Sequence, residues 1–188
     1  STSERNLSRV GTSWGVITDI KVGPDGYLYV VSAFSNRVYR IRPTNPPAIV
    51  QGQAKLEGRA GLLLGTPLQL TLLQGGSPVQ VIDTTLDAYG RFSERVNVPG
   101  TYTIKAKAGT YLSVTLPNIT VAGQGFAYLA LNFTLNGDIT GDDVIDDADL
   151  LAVLFAFGSS DPLADLNGDG TVDDADLLTV LFNFGAGG

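Results

Sequence analysis

The residues of this chain best suited to chemistry are aspartates near its C-terminus, and their spacing occurs twice. From Asp138 the chain reads DITGDDVIDDADLLAVLFAFG and from Asp165 it reads DLNGDGTVDDADLLTVLFNFG, an offset of 27 residues with 14 of 21 positions identical. Such self-similarity marks one supersecondary unit used twice. In the second copy, oxygen-bearing groups fall at positions 1, 3, 5, 7, 9 and 12 of a twelve-residue loop: Asp165, Asn167, Asp169, the carbonyl of Thr171, Asp173 and Asp176. That spacing wraps one loop around a hard cation taking six to eight oxygens at about 2.3–2.6 Å, which suits calcium better than the tighter, water-retaining magnesium. Gly170 at position 6 permits a turn with positive φ. Val172 at position 8 is expected to let paired loops lie side by side.

The first copy places Asp138, Thr140, Asp142, the Val144 carbonyl, Asp146 and Asp149 at the same six positions. Thr140 replaces the usual Asn or Asp, and Asp143 stands where glycine is expected, at a cost of about 1 kcal/mol. The expectation is two bound Ca²⁺, with loop 165–176 the stronger site and loop 138–149 the weaker. A lone acidic loop would read equally well as a solvated tail. Two in register, each followed by the same apolar segment, do not.

Charge is divided along the chain. From Asn136 onward there are twelve acidic residues and no basic one, whereas residues 1–135 carry twelve basic and seven acidic residues. A segment at −12 repels itself unless a cation sits in it. The basic residues are dispersed, which argues against nucleic-acid binding. With no Cys and no His, the chain has no disulfide, thiolate site or Ser–His or Cys–His pair. Paired aspartates could suggest glycoside hydrolysis, but the loops use them as ligands, so no catalytic residue is assigned and no enzyme is expected. No apolar run is long enough for a membrane span. The lack of Met, even at position 1, suggests a processed or trimmed product.

An EF-hand needs a helix leading into each loop. Here YLALNFTLNG precedes Asp138 and alternates like a strand, and GSSDPLA precedes Asp165. Each loop therefore has only an exiting helix and closes on Asp at position 12. The stretch Asn136–Gly185 resembles the dockerin family of duplicated calcium loop–helix modules. That resemblance implies a role in docking secreted proteins to cohesin partners. Many family members recognise cohesin through polar residues at loop positions 10 and 11 and basic residues further along. Here those places hold Asp147 and Ala148, Asp174 and Ala175, then Leu154, Phe155, Leu181 and Phe182, a departure from the family pattern.

Asp146 and Asp173 are good N-caps, acids follow in each first turn, and Gly158 and Gly185 should end the helices. Between them lie ALLAVLFAF and ALLTVLFNF, apolar all round. Antiparallel pairing of the helices would hide about half of that surface. The remainder needs a lid, either the preceding β-domain or another molecule.

Upstream, short alternating runs (IVQGQAKLE, PLQLTLL, VQVID, GRFSERVNV, TYTIKAKA, YLSVTL, AYLALNFTL) predict an Ig-like antiparallel β-sandwich of seven strands. Asp87-x-x-Gly90-x-Phe92 and Pro99-Gly100-x-Tyr102-x-Ile104-x-Ala106 resemble the prealbumin-like, carboxypeptidase-regulatory-like sandwiches, which serve as spacers and adhesion modules. Some related sandwiches carry a Lys–Asn crosslink, but alternation aims Lys55 and Asn132 outward, away from the core. Residues 16–42, with turns at Pro24–Gly26 and Ser35–Asn36, resemble one blade of a β-propeller of the NHL or sugar-dehydrogenase-like kind. One blade closes no propeller. It is expected either to be the stub of a longer propeller enzyme or to pair with another subunit. PTNPP at 43–47 reads as a linker.

The expected architecture is mainly β with a small α module: residues 1–45 blade-like, 46–135 sandwich, 136–188 dockerin-like. The expected function is extracellular assembly through a protein partner, either copies of the chain head-to-tail in a fibre or, alternatively, a docked tail that anchors a secreted enzyme to a cohesin-like scaffold.

Overall fold

A computed structural model describes residues 17–22, 28–33, 37–41, 48–123 and 125–188. The expected turns at Pro24–Gly26 and Ser35–Asn36 and the 43–47 linker lie outside them. The chain divides into two compact units, Ser1–Pro46 and Pro47–Gly188.

In the first unit, strands β1 (Ile17–Val22), β2 (Leu28–Ser32) and β3 (Arg37–Ile41) form an antiparallel sheet in the order β1-β2-β3. Val30 and Ser32 are buried, whereas β1 is exposed along its whole length.

The second unit opens with β4 (Ala48–Leu56), β5 (Pro67–Gln74), β6 (Ser77–Thr85), β7 (Arg91–Val96), β8 (Gly100–Ala108), β9 (Val114–Val121) and β10 (Phe126–Phe133). One sheet runs β10-β4-β7 and the other β6-β5-β8-β9. Alternation drives this. In β10 every second residue is buried, so Ala127, Leu129, Leu131 and Phe133 meet Leu68, Leu70, Leu72, Ile104 and Ala106 of the facing sheet in one core.

Two expectations need correction. The sandwich is not wholly antiparallel, because β10 runs parallel to β4, pairing Phe126 with Ile49 through to Phe133 with Leu56. A period of two fixes which face a residue takes but not the direction of its neighbour. The YLSVTL run also does not begin a strand at Tyr111; β9 starts at Val114. Lys55 and Asn132 are register partners on the exposed face.

After β10 come helices α1 (Asp147–Ala156) and α2 (Asp174–Asn183), packed on each other. A second apolar cluster holds them: Leu112, Ile145, Val153, Ala164, Leu166, Val172 and Val180. Among the described residues no helix is long and apolar enough to cross a membrane.

Candidate functional site: two carboxylate loops and an apolar helix face

Each loop is built around two buried carboxylates. In loop 2, Asp165 at position 1 accepts the N–H of Gly168 (2.8 Å) and Asp169 (3.1 Å) on Oδ1 and that of Gly170 (2.9 Å) on Oδ2. Asp176 at position 12 accepts from Leu166 (2.7 Å) and Asn167 (3.1 Å) on Oδ1 and from Asp173 (2.9 Å) on Oδ2. Loop 1 repeats this frame. Asp138 accepts from Gly141 (2.7 Å) and Asp143 (2.9 Å), and Asp149 from Ile139 (2.8 Å), Thr140 (2.9 Å) and Asp146 (2.9 Å).

The position-9 residues Asp146 and Asp173 also cap the helices. Each accepts an N–H two residues on, from Ala148 and Ala175, and completes a capping box with position 12. The position-12 carboxylate thus ties the start of its loop to the start of its helix. At position 5, Asp142 and Asp169 each accept the N–H of the position-7 residue, Val144 and Thr171. Asn167 accepts from Asp169 N and donates to its carboxylate. Thr140, Asp142, Val144, Asp169 and Thr171 are exposed.

The structure therefore ties position 9 to position 12 in each loop, Asp146 N–H donating to Asp149 and Asp173 N–H to Asp176, while position 1 is held by the N–H groups of its own loop. Among the described residues no three acidic side chains converge as a metal-holding group. The carboxylates are spread over N–H donors, as like charges in a confined loop require. As a donor set, six oxygens per loop, carboxylate-rich and with no nitrogen or sulfur, fit a hard divalent cation.

The loops differ in what balances their charge. Asp138 receives the Lys107 ammonium, which also donates to the Tyr111 carbonyl (2.6 Å). Asp143 at position 6 takes φ 71°, as Gly170 takes 97° in loop 2. Its carboxylate accepts Ser113 N (2.8 Å) and Ser113 Oγ (2.6 Å) and pairs with Lys105 (2.6 Å). Partial burial works against that carboxylate, but the Lys105 and Ser113 hydrogen bonds outweigh it and hold its pKa at about 2. Among the described residues no ion pair reaches Asp165 or Asp176. Loop 2 meets the sandwich through the Ala60 N–H, which donates to the Asn167 carbonyl (2.7 Å), and through the Arg59 side chain, which lies against Gly168.

Lys105, Lys107 and Ser113 were not among the expected site residues. One signal pointed to them: a non-glycine at position 6 needs something to hold it in the left-handed region. The position-8 expectation is corrected as well. Val172 exchanges backbone hydrogen bonds with Gly158 and Ser159 after α1, and Ile145 does so with Gly185 and Ala186 after α2. Each loop pairs with the end of the other helix rather than with its fellow loop, because that edge offers the unpaired backbone groups.

On the helices, Val153 and Val180 are fully buried. Leu151, Leu154, Phe155 and Phe157 are exposed, and so are Leu178, Leu181, Phe182 and Phe184, their equivalents 27 residues on. Exposure matches pair by pair, reaching 88% and 82% for Phe155 and Phe182. Of the two lids weighed, the β-domain leaves this face open.

No protein-family model matches the chain, and no curated protein matches it. Solved structures do. Two are of a type II cohesin–X–dockerin complex from Acetivibrio cellulolyticus. Its N-terminal interface mutant matches at 22% identity over 74% of this chain and 97% of that one, TM-score 0.56. The C-terminal interface mutant matches at 23%, 74%, 97% and 0.56. A DUF3823 family protein from Parabacteroides merdae matches at 24% identity over 48% of this chain and 47% of that one, TM-score 0.34. The chain thus shares a β-sandwich fold with a chain of that cohesin–X–dockerin complex.

Proposed function

We propose that this chain is a non-catalytic extracellular assembly protein whose C-terminal module is a dockerin-like, calcium-loaded grip on a protein partner. The carrying observation is the paired apolar face of α1 and α2. Eight large side chains stand exposed in equivalent places, and covering the nearly bare Phe155 and Phe182 alone would gain about 1.5–3 kcal/mol each. A face of that kind marks an interaction surface.

Asp138, Thr140, Asp142, Val144, Asp146 and Asp149 would hold one Ca²⁺, and Asp165, Asn167, Asp169, Thr171, Asp173 and Asp176 the other. Bound there, the ions supply positive charge that offsets the −12 of the segment. The chain's own residues do the rest: the position-12 aspartates tie loop to helix, and the capping boxes fix the direction in which each helix leaves.

The occupant we favour is a second copy, docked head-to-tail. Residues 1–135 carry +5, opposite in sign to the C-terminal segment, and a repeated heterologous contact that does not close produces a fibre. A docked tail on a cohesin-like scaffold is the second reading, supported by the likeness to the cohesin–X–dockerin complex.

Negative-stain electron microscopy of the full chain, in calcium and after EGTA, separates the readings. Filaments that vanish with chelator are expected. Monomers throughout would overturn self-docking. Calcium-dependent binding of those monomers to a type II cohesin domain would then favour the tail.

A further inference from the structure

A cleft of 680 Å³ lies on the sandwich, apart from the loops and from the helix face. That volume is within the range of about 300–1,000 Å³ typical of small-ligand sites. Its floor is the outward face of the β10-β4-β7 sheet, where Tyr128, Gln51 and Ser93 stand in register across three strands. Tyr128 keeps 60% of its surface exposed.

Most polar groups around the floor are already held by the chain. Asp87 accepts the N–H of Tyr89 (2.8 Å) and Arg91 (2.8 Å), and Glu94 accepts from Thr84 Oγ1 (2.6 Å). Gln53 Nε2 donates to the Tyr89 carbonyl (2.9 Å), and the Arg91 guanidinium lies 5.2 Å from the centre of the Tyr89 ring. The Gln51 amide is half-buried, and neither it nor the Ser93 hydroxyl has a side-chain hydrogen bond among the described residues.

We propose that this cleft binds a neutral oligosaccharide. A sugar ring presents an apolar C–H face and an edge of hydroxyls that both donate and accept. Tyr128 supplies a ring for the first, and Gln51 with Ser93 supplies donors and acceptors for the second. The charges nearby, two carboxylates against one guanidinium, disfavour an anion. The strands hold the floor rigid, so little ordering opposes binding.

The test is calorimetric titration of the full chain with cellohexaose, xylohexaose, maltohexaose and hexagalacturonate. At least one neutral hexasaccharide should bind saturably and the anionic one should not. Tyr128→Ala and Gln51→Ala should each weaken binding roughly tenfold or more. Phe126→Ala, on the same strand outside the cleft, should leave it unchanged, as should EGTA. Absence of saturable binding by all three neutral sugars overturns the proposal. So does Tyr128→Ala binding as tightly as the wild type, or binding that disappears with calcium.

Discussion

Tyr111 and Leu112 are consecutive residues that face different cores. Tyr111 packs among the sandwich residues, its ring edge-on to Phe133 at 6.2 Å, while Leu112 packs with Ile145, Val153 and Val180. The backbone between them, in the β8–β9 connection, joins the two cores. Leu112 N donates to the Leu135 carbonyl (2.8 Å), and the Asn136 amide donates to the Leu166 carbonyl (2.8 Å).

This junction is sensitive to alkali. Burial pushes the Tyr111 hydroxyl up to about 12 from the usual 10. A folded pKa above the unfolded one contributes stability that is complete below pH 10 and is lost as pH rises through about 12. The Tyr111 hydroxyl donates to the Glu57 carbonyl (2.6 Å), so Tyr111→Phe should cost about 0.5–1.5 kcal/mol. Tyrosinate absorbance during titration should show a late-ionising component in the wild type that Tyr111→Phe removes.

The clamp on loop 1 should be measurable as a coupling. Asp143→Gly relieves a left-handed φ, a gain of about 1 kcal/mol. It also removes the bonds to Ser113 and Lys105, each worth about 1–3 kcal/mol, the Lys105 contact less so because that ammonium is partly exposed. Net destabilisation is expected in urea unfolding. Ser113→Ala should cost stability in the wild type and almost none in the Asp143→Gly background. Equal costs in both backgrounds would contradict the clamp.

The two loops should take calcium unequally. The Lys105 and Lys107 ammonium groups pair directly with Asp143 and Asp138 and repel an incoming cation, whereas among the described residues no cation pairs with Asp165 or Asp176, Arg59 lying against Gly168 without an ion pair to either. Calorimetry should resolve a tighter and a weaker site. Asp176→Ala should abolish the tighter one and Asp149→Ala the weaker; the reverse assignment would contradict this ranking.

Phe155→Ser with Phe182→Ser should abolish self-association yet change unfolding stability by little more than about 0.5 kcal/mol, since both side chains lie in solvent. Light scattering and thermal unfolding read the two effects separately.

The helices and loops were legible because a 27-residue repeat fixes their register twice over. Asp146, Asp173, Gly158 and Gly185 stand at the ends their residue types predict. The seven strands were legible from alternation, but the parallel course of β10 beside β4 was not. Tyr111 was assigned to a strand because Tyr-Leu-Ser-Val continues the alternation. Burial of both Tyr111 and Leu112 breaks that pattern, and only the packing of two cores explains it. Lys107 reaches Asp138 from 31 residues away and Lys105 reaches Asp143 from 38, beyond what local spacing encodes.

The central claim is that cation-loaded carboxylate loops hold two apolar helices in position to grip a neighbour. Sedimentation velocity of the full chain across a concentration series, with far-ultraviolet circular dichroism on the same samples, tests it most directly. In calcium, large species should grow with concentration; with EGTA, both the large species and the signal from α1 and α2 should fall. Helicity and association that persist unchanged after chelation would contradict the account.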